Sequence, residues 1–184
     1  MNWRETRIAD TALVALLPCK PDAGARTVPL GGRDVSLHMT GCDAGGATFA
    51  VAHASVDTAS AAPAVLAQWQ QATLANMAAV SSRDVPLNAA ARSVLGSAIA
   101  AGPASSSTSG STSSSASSSS FSSAATAPMR VTAEGRRKDG SAVTMQALWF
   151  AKDAQVFHAV VYAERTSPDL TEAVETFFSG LKFQ

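Results

Sequence analysis

The chain has 184 residues, of which 46% are hydrophobic, and its 14 basic side chains balance 14 acidic ones. A chain of this size can bury a core without help from a metal, so residues 1–184 are predicted to form a single domain. The charge balance gives no electrostatic attraction to nucleic acid or to anionic lipid. No apolar run approaches the roughly 20 residues that span a bilayer. These features argue against a nucleic-acid-binding or membrane-spanning protein.

The first third of the chain alternates short apolar runs with turn residues. Residues 3–8 predict an edge strand, and Leu13–Leu17 predicts a buried strand rather than the apolar part of a signal peptide. Residues 27–30 and 33–40 predict a β-hairpin, because the glycine pair between them permits the positive φ angles of a tight turn. Gly45 and Gly46 allow a further reversal into a strand over residues 47–54. This part of the chain therefore predicts a meander of short strands.

Cys19 and Cys42 are the only cysteines, and each follows an apolar, strand-like run. Two strands that end side by side would bring the sulfur atoms within bridging distance, so a disulfide is the favoured interpretation. Two reduced core thiols are the alternative. A metal site is not supported, because two cysteines at this spacing lack the paired ligand clusters of a zinc site.

A disulfide would place the protein in an oxidising compartment, the periplasm or cell envelope. The chain would then be a mature form, with its export signal lying upstream of Met1. A cytoplasmic protein with two idle thiols is the alternative.

A helix is predicted over residues 63–80. Pro63 fits its first turn, and a core-facing apolar stripe recurs at helical spacing. The stripe consists of Leu66, Trp69, Thr73, Met77 and Val80. Residues 85–100 predict one or two irregular strands. Residues from about 104 to 127 are rich in serine and predict a flexible loop, because such a composition buries too little surface to offset its ordering entropy.

The last third carries the clearest pattern. Residues 141–150 and 155–163 predict strands that are apolar on both faces, and a strand of this kind must be covered on both. A final helix is predicted with Ser167 as its N-cap, Pro168 at its first position and Gly180 at its end. The sequence thus predicts an α+β fold, in which a mainly antiparallel sheet is covered by helices on both faces. The predicted stripe of the final helix is Leu170, Val174, Phe177, Phe178 and Leu181.

Three features of this pattern carry a resemblance to a known fold. They are the run ending at Leu17-Pro18-Cys19, the hairpin ending at Gly41-Cys42, and the strand-strand-helix ending that closes on Phe177-Phe178-Ser179-Gly180-Leu181. Together they resemble uncharacterised exported or lipid-anchored proteins of proteobacteria. The layout of those proteins is similar to the PsbP-like three-layer α-β-α sandwich, named for an extrinsic subunit of photosystem II. The resemblance implies a non-enzymatic binding or assembly role and supplies no catalytic residues.

Three histidines could be imagined in a catalytic triad, but each is better explained as a structural side chain. His38 lies on the more polar face of its predicted strand, whereas His53 and His158 each share a strand face with apolar neighbours. No Gly-x-Ser-x-Gly elbow is present, and the paired glycines are not followed directly by a helix that could bind phosphate. The basic cluster Arg136-Arg137-Lys138 predicts an exposed turn. The sequence therefore predicts no catalytic, cofactor-binding or metal site, and no enzyme.

The predicted function is a non-catalytic protein of the cell envelope that binds a protein partner or helps to assemble one. The identity of the partner and the oligomeric state are left open. The alternative is a carrier of a small molecule or lipid, with an apolar pocket between the sheet and a helix.

Overall fold

The computed structural model describes residues 1–87 and 129–184, and within them it contains ten β-strands, a short 3-10 helix and two α-helices. The strands of the first segment are β1 (Arg4–Arg7), β2 (Leu13–Leu17), β3 (Asp22–Leu30), β4 (Arg33–Ala44), β5 (Ala47–Ser55) and β6 (Ser81–Val85), and its helix is α1 (Ala62–Asn76). The second segment contains β7 (Met129–Arg136), β8 (Ala142–Lys152), β9 (Gln155–Ala163), the helix α2 (Pro168–Ser179) and β10 (Lys182–Phe183).

Seven strands form one antiparallel sheet in the order β3-β4-β5-β9-β8-β7-β6. Hairpins join neighbours within each segment, and β5 pairs with β9 along its whole length, from Ala47 opposite Ala163 to Ser55 opposite Gln155. The central strands β5, β8 and β9 are buried on both faces, as their double apolar pattern predicts. We refer to this sheet as the large sheet.

The remaining strands form a second, three-stranded sheet in the order β1-β2-β10. β1 and β10 flank β2, whose Leu13, Ala15 and Leu17 are fully buried. These side chains share one core with the large sheet and with the apolar stripe of α2. The predicted edge strand at residues 3–8 is confirmed, but its sheet is this small one.

The predicted fold class, helices covering both faces of one sheet, is therefore wrong. The protein is mostly antiparallel β-structure in two sheets, with only two α-helices in the described residues. The small sheet and α2 together cover one face of the large sheet, and α1 lies against the other. The apolar pattern of Leu13–Leu17 shows that this strand is buried. It does not show which strands pair with it, and a sheet can cover a sheet as well as a helix can.

α1 is shorter than the prediction over residues 63–80. It ends at Asn76, and the chain turns at Ala78, whose φ is +44°. Val80 consequently lies outside the helix and is 77% exposed, while Met77 remains buried. The turn packs closely on β7, where a Cβ on Gly135 would lie 2.2 Å from the Met77 carbonyl oxygen. Glycine is required at that approach.

α2 has the predicted ends. The Ser167 side chain accepts a hydrogen bond from the Leu170 backbone N–H at 3.2 Å, and Pro168 occupies the first helical position. All five residues of its predicted stripe are buried. Gly180 ends the helix and packs closely against β2. A Cβ on Gly180 would lie only 2.4 Å from the Leu16 Cβ, so this contact requires glycine.

Two strands were missed or misplaced by the sequence pattern. β3 begins at Asp22, five residues before the predicted start, and its exposed, Gly-containing beginning shows no alternation. β6 is short, polar and almost wholly exposed at the edge of the large sheet. The Ser-rich loop at about 104–127 lies outside the described residues, as does most of the predicted irregular stretch at 85–100.

Candidate functional site

The two cysteines are joined, and the predicted pairing distance is confirmed. The Cys19 and Cys42 sulfur atoms are bonded, with their Cα atoms 6.0 Å apart. Cys19 follows β2 of the small sheet, and Cys42 lies in β4 of the large sheet opposite Phe49. The bond therefore ties the two sheets together near the end of β2.

A polar groove of about 330 Å³ opens beside the small sheet, over strands β4 and β5 of the large sheet. Its floor crosses three neighbouring strands. β4 contributes Ser36 and His38, β5 contributes His53 and Ser55, and β9 contributes Gln155. The loop between β1 and β2 forms one wall through Asp10. The groove concentrates polar side chains in a part of the sheet that is otherwise mostly apolar.

His38 and His53 form the centre of the groove. They lie directly opposite one another on β4 and β5, and their rings are stacked with centroids 5.1 Å apart and planes inclined by 17°. The Nε2 atom of His38 lies 3.2 Å from the Ser36 hydroxyl oxygen. His53 is only 4% exposed, and its Nδ1 atom has no hydrogen-bond partner. A buried ring nitrogen without a hydrogen-bond partner is unusual in a native protein.

The surroundings of His53 favour its neutral form. Burial lowers its pKa below the usual value of 6.5, and the neighbouring His38 lowers it further. Asp10 and the Ala9 carbonyl act in the opposite direction, with smaller effects. At neutral pH the ring therefore carries an unprotonated nitrogen with a free lone pair.

The wall of the groove is held in place by the chain itself. The Gln155 side-chain amide donates a hydrogen bond to the Asp10 backbone carbonyl at 3.0 Å. The Thr11 hydroxyl donates to the Ile8 carbonyl at 2.9 Å and accepts from the Leu13 N–H at 3.1 Å. The groove is thus preformed rather than assembled by a loop movement.

The charges of the groove leave it negative. Arg33 reaches its rim but forms an ion pair with Asp57. Asp10 and Asp34 also line it, and neither belongs to any of the ion pairs found among the described residues. Two carboxylates are therefore uncompensated beside two imidazoles, which favours a cationic ligand over an anionic one.

His158 does not contribute to the groove. It lies on the opposite face of the large sheet, under α1, stacked on Trp149 with centroids 4.6 Å apart and in edge contact with Trp69. Complete burial lowers its pKa to about 3. Its Nε2 atom and the Trp149 Nε1 atom are both buried without a hydrogen-bond partner. Two of the three histidines are therefore brought together and the third is set apart.

The groove does not contain a recognisable catalytic arrangement. Ser36 and His38 are in contact, but no carboxylate hydrogen-bonds the other His38 nitrogen among the bonds found in the described residues. A serine nucleophile needs a base that is itself held in orientation. In the same residues, no three His, Cys, Asp or Glu side chains lie close enough together to hold a metal ion by themselves.

A buried arginine was missed by the sequence reasoning. Arg130 of β7 is only 5% exposed, forms a two-pronged ion pair with Glu175 of α2, and donates to the Gln146 side-chain oxygen at 2.8 Å. Its guanidinium also lies 4.7 Å from the centre of the Phe178 ring. The sequence offers little signal for its burial, because β7 also carries the charged residues Glu134 and Arg136. These contacts attach α2 to the large sheet, which is a structural role.

The predicted basic turn is exposed, as expected. Arg136 donates to the Gly140 carbonyl at 3.0 Å, and Arg137 lies 3.6 Å from the Glu164 carboxylate. Its charges are partly engaged locally.

The chain matches no family model, no curated protein and no solved structure in the comparisons. The resemblance to PsbP-like proteins therefore stays a prediction. Among the described residues, neither helix has the length and apolar character required to cross a membrane.

Proposed function

We propose that this chain is a non-catalytic binding protein of an oxidising compartment, the periplasm or cell envelope. The groove around His38 and His53 is its binding site. The observation that carries the proposal is the stacked pair His38 and His53, which lines a polar groove and in which the buried His53 has a ring nitrogen without a protein hydrogen-bond partner. Buried polar groups are normally satisfied, so an exception calls for an explanation, and a functional role is one. The occupant of the groove in the cell would be a protein partner or a ligand that the partner presents.

The proposed compartment is supported by the cysteine pair. A bond joining the two sheets persists in an oxidising environment and is rare where thiols are kept reduced. Alkylation of protein from its native host, under denaturing conditions without reductant, tests this part. Unlabelled Cys19 and Cys42, with a mass two hydrogens below that of the reduced chain, would support it. Full labelling of both would overturn it.

Site-specific cross-linking tests the groove as the binding site. A photoreactive residue at Ser55 faces the groove, whereas the same residue at Lys138 lies in the exposed basic turn and serves as the control. In envelope preparations of the native host, we expect an adduct from Ser55 that disappears when His38 and His53 are both replaced by Gln. Equal adducts from both positions, or adducts insensitive to the double replacement, would contradict the proposal.

Because Ser36 contacts His38, an ester hydrolase is the enzymatic alternative to the proposed binding role, and it can be tested directly. We expect Ser36→Ala to leave cross-linking at Ser55 intact, and we expect the unmodified protein not to react with a fluorophosphonate probe. Covalent labelling of Ser36 would identify a nucleophile and would contradict a non-catalytic role.

A small-molecule carrier is the second candidate, favoured by one observation. The unpartnered Trp149 Nε1 and His158 Nε2 atoms lie between the large sheet and α1, beside Ala52 and Ala147. A ligand held there could supply both missing hydrogen bonds. Native mass spectrometry of protein from its host tests this. A retained small molecule that Trp149→Phe releases would favour the carrier over the groove.

A further inference from the structure

We propose that His38 and His53 bind a divalent transition-metal ion, with Cu²⁺ as the preferred metal, through one ring nitrogen of each imidazole. The inference rests on the proposed role of the groove as the binding site and names the class of its ligand. Two protein ligands would leave the remaining coordination positions to water or to a donor group of the partner.

The position of the two rings carries the proposal. His38 and His53 are directly opposed on adjacent antiparallel strands, so the backbone fixes their separation. Two nitrogens that bind one ion at about 2.0–2.1 Å lie at most about 4.2 Å apart. Ring centroids 5.1 Å apart place the imidazoles close enough for one nitrogen of each to reach a shared ion once the rings turn out of their stacked arrangement.

The chemistry of the donors selects the metal. Imidazole is a borderline ligand that suits copper, zinc and nickel, whereas calcium and magnesium prefer oxygen donors. Copper forms the most stable complexes with nitrogen ligands along the divalent series. The Nδ1 atom of the buried His53 has no hydrogen bond to the protein that would compete with a bound ion.

The charges around the pair favour a cation. The Asp10 and Asp34 carboxylates face the same groove, while the charge of Arg33 is taken up by Asp57. The hydroxyl of Ser36 lies against Nε2 of His38 and must be displaced if that nitrogen binds the ion. With Nε2 of His38 as the ligand atom, Ser36 weakens metal binding rather than supporting it.

Calorimetric titration with CuCl₂ tests the proposal on the full-length, untagged, disulfide-bonded protein. Electron paramagnetic resonance of the same samples counts the coordinated imidazole nitrogens. We expect one bound Cu²⁺ with two imidazoles. His38→Gln and His53→Gln should each weaken binding by about tenfold or more and leave one imidazole. His158→Phe is the matched control, since it removes the third histidine and should change neither readout.

Three outcomes would overturn the proposal. They are no saturable binding, equal weakening by His158→Phe, and a spectrum without imidazole nitrogens. Ser36→Ala should leave the affinity unchanged or raise it, and a clear loss would contradict the assigned geometry. If copper does not bind but the Ser55 cross-link persists and depends on the two histidines, the metal is excluded while the groove remains the binding site. Circular dichroism of each variant separates loss of binding from loss of folding.

Discussion

The two faces of the large sheet are built differently. On the face shared with the small sheet and α2, large aromatic side chains interlock, as in the edge contact between Phe49 and Phe177 at 5.6 Å. A capped helix, an ion pair of the buried Arg130 with Glu175, and a disulfide add to this core. On the other face, α1 has no side-chain cap and covers a surface rich in alanine, beneath which two buried ring nitrogens have no partner. The first face adds a helix cap, an ion pair and a disulfide to its apolar packing, whereas the second depends chiefly on apolar packing.

The surroundings of His53 and His158 also differ between the two faces. His53 lies at the margin of the face that carries α2. It shares the groove there with the Asp10 and Asp34 carboxylates and with the β1–β2 loop, which Gln155 holds in place. His158 is enclosed between two tryptophans, where no charged group compensates its burial. A polar side chain beside a preformed opening can bind a ligand from solution, whereas an enclosed one chiefly affects stability.

The largest expected effect lies on the α2 face. Phe177→Ala removes a fully buried ring that contacts both Phe49 and Phe178, and should lower the free energy of unfolding by about 3–5 kcal/mol. Urea denaturation measures it, with Val80→Ala as the exposed control, which should change stability by less than about 0.5 kcal/mol. A loss below about 1 kcal/mol for Phe177→Ala would contradict the tightly packed core described for this face.

Removal of the disulfide should have the next largest effect. Replacing both Cys19 and Cys42 by Ser frees the link between the sheets and should cost about 3 kcal/mol through the greater freedom of the unfolded chain. Denaturation of the variant beside the oxidised and reduced parent measures it. The reduced parent should resemble the variant, and an oxidised parent no more stable than either would show that the bond does not stabilise the fold.

Removing either partner of the Arg130–Glu175 ion pair should destabilise the protein by different amounts, because only Arg130 is buried. Glu175→Ala leaves the buried Arg130 charge without its partner and should cost about 2–3 kcal/mol. Arg130→Met keeps an apolar side chain in place and leaves Glu175, which is about half exposed, to be solvated, so it should cost about 1 kcal/mol. Thermal and chemical denaturation of both variants tests this order. The reverse order would show that the guanidinium matters through its other contacts.

The α1 face predicts a loss of stability in acid. The pKa of His158 is about 3 in the folded protein and about 6.5 in the unfolded chain, so between these values only the unfolded chain takes up the proton. Stability from this group is complete above pH 6.5, is lost as the pH falls towards 3, and should be lower by about 2 kcal/mol at pH 5.

The matched variant for this prediction is His158→Phe. It keeps an aromatic ring against Trp149 and removes the titrating group, so its stability should fall much less between pH 7 and pH 5. Its stability at pH 7 should be close to that of the parent, because an unpartnered nitrogen is also removed. Parallel pH curves for the two proteins would refute the assignment to His158.

The α2 face was also the more predictable from sequence. Ser167, Pro168 and Gly180 act locally, and the stripe ending at Leu181 repeats at helical spacing, so these features can be identified without knowing the rest of the fold. The pairing of Leu13–Leu17 depends on partners far away in the chain. Its strand pattern indicated burial but not a second sheet, and the predicted helical layer was wrong for that reason.

The groove could be only partly predicted. The polar side of β4 was identified, so His38 was expected to be accessible, but His53 follows Phe49 and Val51 on an apolar face. What brings the two rings together is the β4–β5 register, in which Gly45 and Gly46 fix the turn. Phe49 and Val51 lie in the core shared with the small sheet, whereas His53 lines the groove together with Asp10 of the β1–β2 loop, an arrangement set by residues far apart in the chain.

The most direct test of the central claim is to follow the imidazole resonances of the three histidines by nuclear magnetic resonance. Zn²⁺ is added to the disulfide-bonded protein as a diamagnetic substitute for copper. Metal binding by the histidine pair predicts that the His38 and His53 resonances shift together and saturate at the same zinc concentration, while those of His158 stay unchanged. Resonances of all three that do not move, or movement of His158 alone, would contradict the claim that the paired imidazoles bind a divalent metal ion.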